Sequence, residues 1–182
     1  MGMAAPMYWT AEMVRQLPDD GKRYEVVYGE LLVTPAPRFD HQLLVSRLWS
    51  RLSRYLEHEP IGLVLSSPAD ISWGRDVLVQ PDIFVVTKEE ARSHDWSRIQ
   101  TLLLVIEVLS PSTERSDRFT KRRRYQEAGV PLYWVVDGDA QRVEVWTRTA
   151  DFPTIETERL RWHAAGADRA FVLELSELFE PV

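Results

Sequence analysis

Apolar residues are spread unevenly along the chain, and their spacing sets the expected elements. The densest run is Leu102-Leu103-Leu104-Val105-Ile106, continuing through Val108 and Leu109. An unbroken run bounded by polar residues reads as a strand buried on both faces. Asp40 to Glu57 has a different rhythm: Leu44, Val45, Leu48, Leu52, Tyr55 and Leu56 recur three and four apart, which predicts an amphipathic helix. Arg142 to Trp146 alternates and predicts a half-exposed strand.

Shorter patterns fill the rest. Thr10 is a suitable N-cap for a helix over Ala11 to Leu17. Arg23 to Val27 and Glu30 to Val33 flank Tyr28-Gly29 and predict a hairpin with a tight turn. Strands are expected at Leu63–Ser66, Ala69–Trp73, Leu132–Asp137, Thr154–Trp162 and Ala170–Leu173, and a last helical turn over Ser176 to Phe179. Thr87 to Ser97 is a polar excursion with room for one helical turn. Val77 to Val86 reads as a strand interrupted at Pro81, where a bulge or bend re-aims Asp82. A charged helix is expected between Ser110-Pro111-Ser112-Thr113 and Gly129-Val130-Pro131. The sum is mixed α/β: one domain over 1–182, one central sheet flanked by helices, and a loose N-terminal arm over residues 1–9.

Composition changes this picture little. Apolar residues make up 45% of the 182, enough for a full core, and seven tryptophans argue against disorder. The chain has no cysteine, which excludes disulfides, thiolate metal sites and cysteine nucleophiles. No apolar run approaches the ~20 residues that span a bilayer, and no secretory apolar segment is present, so a cytoplasmic protein without a membrane partner is expected. The net charge of −6 argues against nucleic-acid binding unless the basic residues cluster. Partly they do: Lys121-Arg122-Arg123-Arg124 follow Arg115 and Arg118. Arg47, Arg51 and Arg54 form a second stripe, read as a solvated face or, less simply, a phosphate-facing one.

Three residues carry candidate chemistry. Glu107 sits in the buried run, where a carboxylate is costly unless it is paired or holds a cation. Asp82 lies beside the proline break, and Lys121 shares a helix face with Arg118, Tyr125 and Ala128. Carboxylates from neighbouring strands can hold Mg²⁺ or Mn²⁺, with the Val108 carbonyl as a further ligand, and a lysine can orient water or offset developing charge. Each residue also has a plain structural reading: Asp82 as a turn residue, Glu107 paired to an arginine, Lys121 solvated. If Asp82 and Glu107 are close like charges, Asp82→Asn is expected to stabilise the metal-free protein.

As a set, these residues resemble a known family. Pro81-Asp82, then Glu107-Val108-Leu109-Ser110-Pro111-Ser112, then Lys121 with Tyr125, then Gly129 through Asp137, are similar to the Uma-two family of "putative restriction endonucleases", within the PD-(D/E)XK nuclease superfamily. Tyr24-Glu25 before Gly29-Glu30-Leu31, and His41 opening the long helix, extend the likeness upstream. The resemblance implies a restriction-endonuclease-like core and a Mg²⁺- or Mn²⁺-dependent DNA endonuclease. Asp82 and Glu107 would be metal ligands, and Glu25, His41 and Tyr125 supporting residues. The superfamily's usual lysine, two residues after the glutamate, is here Leu109, and the resemblance moves that role to Lys121. Arg115, Arg122 and Arg123 would face the phosphates. His41 is read as a hydrogen-bonded core histidine rather than a ligand. The alternative is the same fold kept as a non-cleaving nucleic-acid-binding or protein-interaction module. Trp146 and Trp162 would suit a homodimer surface, or else the core.

Overall fold

The computed structural model describes residues 7–182. Of the expected arm, residues 1–6 lie outside the described chain. Residues 8 and 9 are docked: the Tyr8 hydroxyl donates to Asp76 at 2.7 Å, and the Trp9 N–H to the Gly29 carbonyl at 2.9 Å.

The apolar run forms the centre of a six-stranded mixed sheet. Its strands are β3 (Gly62–Ser66), β5 (Ile83–Thr87), β6 (Leu102–Val108), β7 (Leu132–Asp137), β8 (Arg142–Thr147) and β9 (Thr154–Glu156), in that spatial order. Only β6 and β7 are parallel. A parallel neighbour needs a crossover, which the charged helix between them supplies. A three-stranded sheet is built from β1 (Arg23–Val27), β2 (Glu30–Thr34) and β4 (Val77–Leu78), and a two-stranded one from β10 (Arg159–Trp162) and β11 (Phe171–Glu174). The hairpin turn has Tyr28 at φ 54° and Gly29 at φ 74°, the left-handed pair that a two-residue type I′ turn requires.

The proline break divides Val77–Val86 between β4 and β5, in different sheets, with Asp82 at the junction. Ala69–Trp73 forms one isolated bridge, Ile71 to Val79, in place of the expected strand. The helices are α1 (Ala11–Arg15), α2 (Phe39–His58), α3 (Lys88–Ala91), α4 (Arg122–Glu127) and α5 (Leu175–Leu178).

Two cores cover the sheet. On one face, Leu44, Leu48, Leu52 and Leu56 of α2 pack with Ile83, Leu104, Ile106 and the β10–β11 ribbon. On the other, Phe84, Val105, Val135 and Tyr133 pack with Tyr125 of α4 and Val27 of the small sheet. Among the described residues no helix is long and apolar enough to cross a membrane.

Candidate active site

Asp82 immediately precedes β5, and Glu107 is the penultimate residue of β6. The two strands run antiparallel with Ile83 opposite Ile106, so one step beyond that pair brings Asp82 beside Glu107. The Asp82 N–H donates to Glu107 Oε2 at 3.3 Å. Both residues are buried.

Asp82 is held on all sides. Arg23 of β1 donates to its Oδ1 at 2.8 Å. The Val108 N–H donates to Oδ2 at 2.9 Å, and His41 Nε2 lies 3.1 Å from the same oxygen. An ionised carboxylate only accepts, so His41 Nε2 carries the proton; its Nδ1 is buried with no partner among the described residues. Burial alone would raise the pKa of Asp82. The hydrogen bond from His41 and the charge of Arg23 outweigh it and hold the carboxyl well below its usual range.

This geometry points against one sequence expectation. Asp82 is a stabilised anion, so Asp82→Asn removes a favourable charge rather than a repulsive one. The strained member is Glu107, whose pKa is pushed well up by burial and by the charges of Asp82, Asp117 and Glu25, against the pull of Lys121.

Glu107 Oε1 accepts from Lys121 Nζ at 2.8 Å and from the Tyr125 hydroxyl at 2.9 Å. Lys121 Nζ also meets Glu25 Oε1 at 3.0 Å and Asp117 Oδ1 at 3.4 Å, and its side chain is 1% exposed. The lysine therefore sits behind Glu107, away from the cleft, with its pKa raised by Glu107, Glu25 and Asp117 against desolvation. Glu25 is further fixed by the Gln80 N–H at 2.7 Å.

The helix carrying Lys121 contains a π segment, Ser116–Lys121, and continues α-helical as α4. Asp117, Lys121 and Tyr125 share its buried face. Arg118, which even α-helical spacing places beside Lys121, turns instead to Glu144, Asp137 and Glu114.

The charges of the buried cluster do not balance. Arg23 and Lys121 contribute two positive charges against four carboxylates, Glu25, Asp82, Glu107 and Asp117, an excess of two when all are ionised. Protons can remove that excess, and Asp117 is accordingly pushed up to about 6, by burial first and then by Asp82 and Glu25. One divalent cation would remove it as well. Asp82 Oδ1 and Glu107 Oε2 each accept a single hydrogen bond, which leaves a lone pair on each. The donor set is carboxylate oxygen, which suits Mg²⁺ or Mn²⁺. Among the described residues no group of three or more His, Asp or Glu side chains forms a ready metal cage, so the fit rests on this oxygen pair.

Two clefts share Arg38, His41, Ser110 and Pro111 in their lining. One, of about 500 Å³, is lined by Arg23, Arg38, His41, Asp82 and the Ser110–Ser112 turn. The other, of about 840 Å³, is lined by Arg38, Phe39, His41, Val108 and the loop after β7.

The proposed phosphate contacts fare unequally. Arg115 is exposed. Arg122 stacks on Trp146 at 4.5 Å and donates to Gln126, and Arg123 pairs with Glu127 at 3.1 Å. Arg47 donates to the Leu178 and Glu180 carbonyls and Arg51 pairs with Glu177, so that stripe anchors the C-terminal segment. Trp146 and Trp162 are buried and offer no dimer surface. Sequence reasoning missed Arg23 and Asp117. Arg23 lies two residues from Glu25, on the same strand face, and Asp117 lies four before Lys121; both spacings were signals.

The fold is shared with a solved protein. A crystal structure of "a putative nuclease belonging to DUF820" from Anabaena variabilis ATCC 29413 superposes with a TM-score of 0.75 at 20% identity, covering 94% of this chain and 97% of that one. None of the curated proteins matches the chain. The family described as "Uma2: Putative restriction endonuclease" matches residues 11–167. With the match spanning most of its length, the chain belongs to the Uma2 family, and its restriction-endonuclease-like α/β fold agrees with that of the Anabaena protein.

Proposed function

We propose that the chain is a divalent-metal-dependent endonuclease that hydrolyses phosphodiester bonds of DNA. The observation that carries this reading is the meeting of Asp82 and Glu107 at the ends of adjacent strands, in a buried cluster two positive charges short. Asp82, Glu107 and the Val108 carbonyl are the residues that would hold Mg²⁺ or Mn²⁺. When bound, such an ion makes water more acidic and offsets charge on the phosphoryl oxygens.

The chain's own residues set the rest. Arg23, His41 and the Val108 N–H keep Asp82 ionised and fixed in orientation. Lys121 and Tyr125 grip one oxygen of Glu107 and leave the other towards Asp82. Lys121 thus acts by keeping Glu107 anionic in a buried place, and Glu25 and Asp117 hold the lysine. Burial of the cluster strengthens each of these interactions.

The test is cleavage of plasmid and linear DNA with Mg²⁺, Mn²⁺ or EDTA, by the parent, Asp82→Asn and Glu107→Gln. Metal-dependent cleavage by the parent alone supports the reading. Cleavage that survives both substitutions, or that ignores EDTA, refutes it.

One observation favours a second reading, a non-cleaving nucleic-acid-binding or protein-interaction module. Arg23 and His41 already satisfy much of Asp82. Calorimetric titration separates the two, since only the first requires Mg²⁺ or Mn²⁺ to bind at Asp82. A homodimer would need a surface other than the two tryptophans.

A further inference from the structure

The cleft mouth lies where α2 begins. Arg38 and His41 line both clefts, and Phe39 lines the larger one. Phe39 is 73% exposed, an aromatic ring standing in solvent at the rim of the larger cleft. Arg38 beside it has no carboxylate partner within salt-bridge distance among the described residues.

The larger cleft is acidic beyond this point. Asp40, Glu114, Asp137, Asp139 and Glu180 line it against Arg38 and Arg47. Arg118 behind the wall pairs with Glu114 and Asp137, which still leaves a negative excess. Asp82, at the floor of the smaller cleft, is only 4% exposed. A duplex carries two phosphate backbones and favours positive charge along both flanks of its binding surface. Here one flank offers a cation and the other repels.

From this we infer that the site takes an unpaired strand of nucleic acid, with Phe39 as a base-stacking platform and Arg38 as a phosphate contact. Single strands are bound by cations that hold the backbone and aromatic faces that stack the bases, and Arg38 with Phe39 supplies one of each. The recessed floor fits the same substrate, because a single strand is narrower than a duplex and His41, which lines both clefts, lies between Phe39 and Asp82 in the lining. The inference rests on the nuclease reading and narrows it to single strands, overhangs, bubbles or frayed ends.

The test is fluorescence anisotropy in EDTA, which blocks metal-dependent cleavage. The probes are a labelled twelve-nucleotide DNA strand, the same strand in a blunt duplex, and a duplex with an unpaired overhang. The single strand and the overhang should bind at least about tenfold more tightly than the blunt duplex. Phe39→Ala should weaken single-strand binding by roughly fivefold or more, on the scale of one lost base stack. Phe39→Trp should restore it, and neither change should affect the melting temperature, since the ring is exposed. Arg38→Ala should reduce the magnitude of the salt slope by about 0.7, one single-strand phosphate contact.

Equal or tighter binding of the blunt duplex overturns the inference. So does no binding of any probe, or a Phe39→Ala protein that binds the single strand as the parent does. Failure of the nuclease reading looks different: strand binding that follows this pattern, with no cleavage of any probe when Mg²⁺ or Mn²⁺ is supplied.

Discussion

Removing the charge of Asp82 tests the electrostatics of the site without any substrate. Asp82→Asn keeps the shape and deletes the anion. Arg23 then faces a neutral carboxamide in a place where the two side chains are 17% and 4% exposed. Removing one partner of a buried pair costs about 3–5 kcal/mol, because the other charge is left uncompensated. The carboxamide oxygen can still accept one hydrogen bond, which lowers the loss to roughly 3 kcal/mol. Relief of repulsion with Glu107 is smaller, since Lys121 already offsets the charge of Glu107 at 2.8 Å. The linkage has the same sign: a carboxyl held below its unfolded value contributes stability above that value and loses it only in strong acid. At neutral pH in EDTA the variant should therefore melt lower by about 6–12 °C, taking ~2–4 °C per kcal/mol for a chain of this size. Glu107→Gln, which replaces a carboxyl whose pKa burial already pushes up, should cost less. Adding Mg²⁺ at a hundredfold excess over its Kd should raise the parent by about 2.7 kcal/mol and Asp82→Asn by little. Calorimetric melts of the three proteins with EDTA and with Mg²⁺ are the assay. An Asp82→Asn protein that melts higher than the parent in EDTA would refute this account, because like-charge repulsion would then dominate.

Three further outcomes follow from the same geometry. Asp117, raised from 3.8 to about 6, binds its proton more tightly in the folded chain, so its contribution to stability is greatest below pH 4 and is lost as pH rises through about 6. Asp117→Asn should remove that fall, worth up to about 3 kcal/mol at pH 7; urea titrations of both proteins at pH 4, 5, 6 and 7 check it, and parallel curves would sink it. Lys121→Met leaves Glu25, Glu107 and Asp117 without their shared cation and should destabilise by ~3–5 kcal/mol, less at pH 5 than at pH 8 as the carboxyls protonate, in contrast to the pH-independent loss expected of a packing defect. Arg115→Ala should reduce the salt slope of DNA binding by roughly 0.7–0.9, whereas Arg122→Ala should leave the slope alone and lower stability by about 1–2 kcal/mol through the lost Trp146 stack.

Legibility in the sequence varied with how local the cause was. The β6 run, the α2 periodicity and the Tyr28-Gly29 turn are set by neighbouring residues, and each was readable. The Asp82–Glu107 pairing was readable because a proline break and a buried acid are both anomalies that demand an explanation. The faces of the helix after Ser110 were not. Even spacing at 100° per residue grouped Arg118 with Lys121, and the π segment separates them. Asp117, four residues before Lys121, was lost as one acid in a charged run. The Arg47 and Arg51 contacts depend on a segment more than a hundred residues away, and no local pattern announces such a meeting.

A π turn is an α-helix holding one residue too many. Here the surplus bulges outward, where Phe119 stands 63% exposed, while Asp117 and Lys121 keep to the inner face. Chain length can therefore vary by one at this point without disturbing either flank. Deleting Phe119 would close the turn to ordinary helix and leave the acid three residues before the lysine instead of four, still on its side. Deleting Arg123 would rotate Tyr125 out of register with Lys121 and release Glu107.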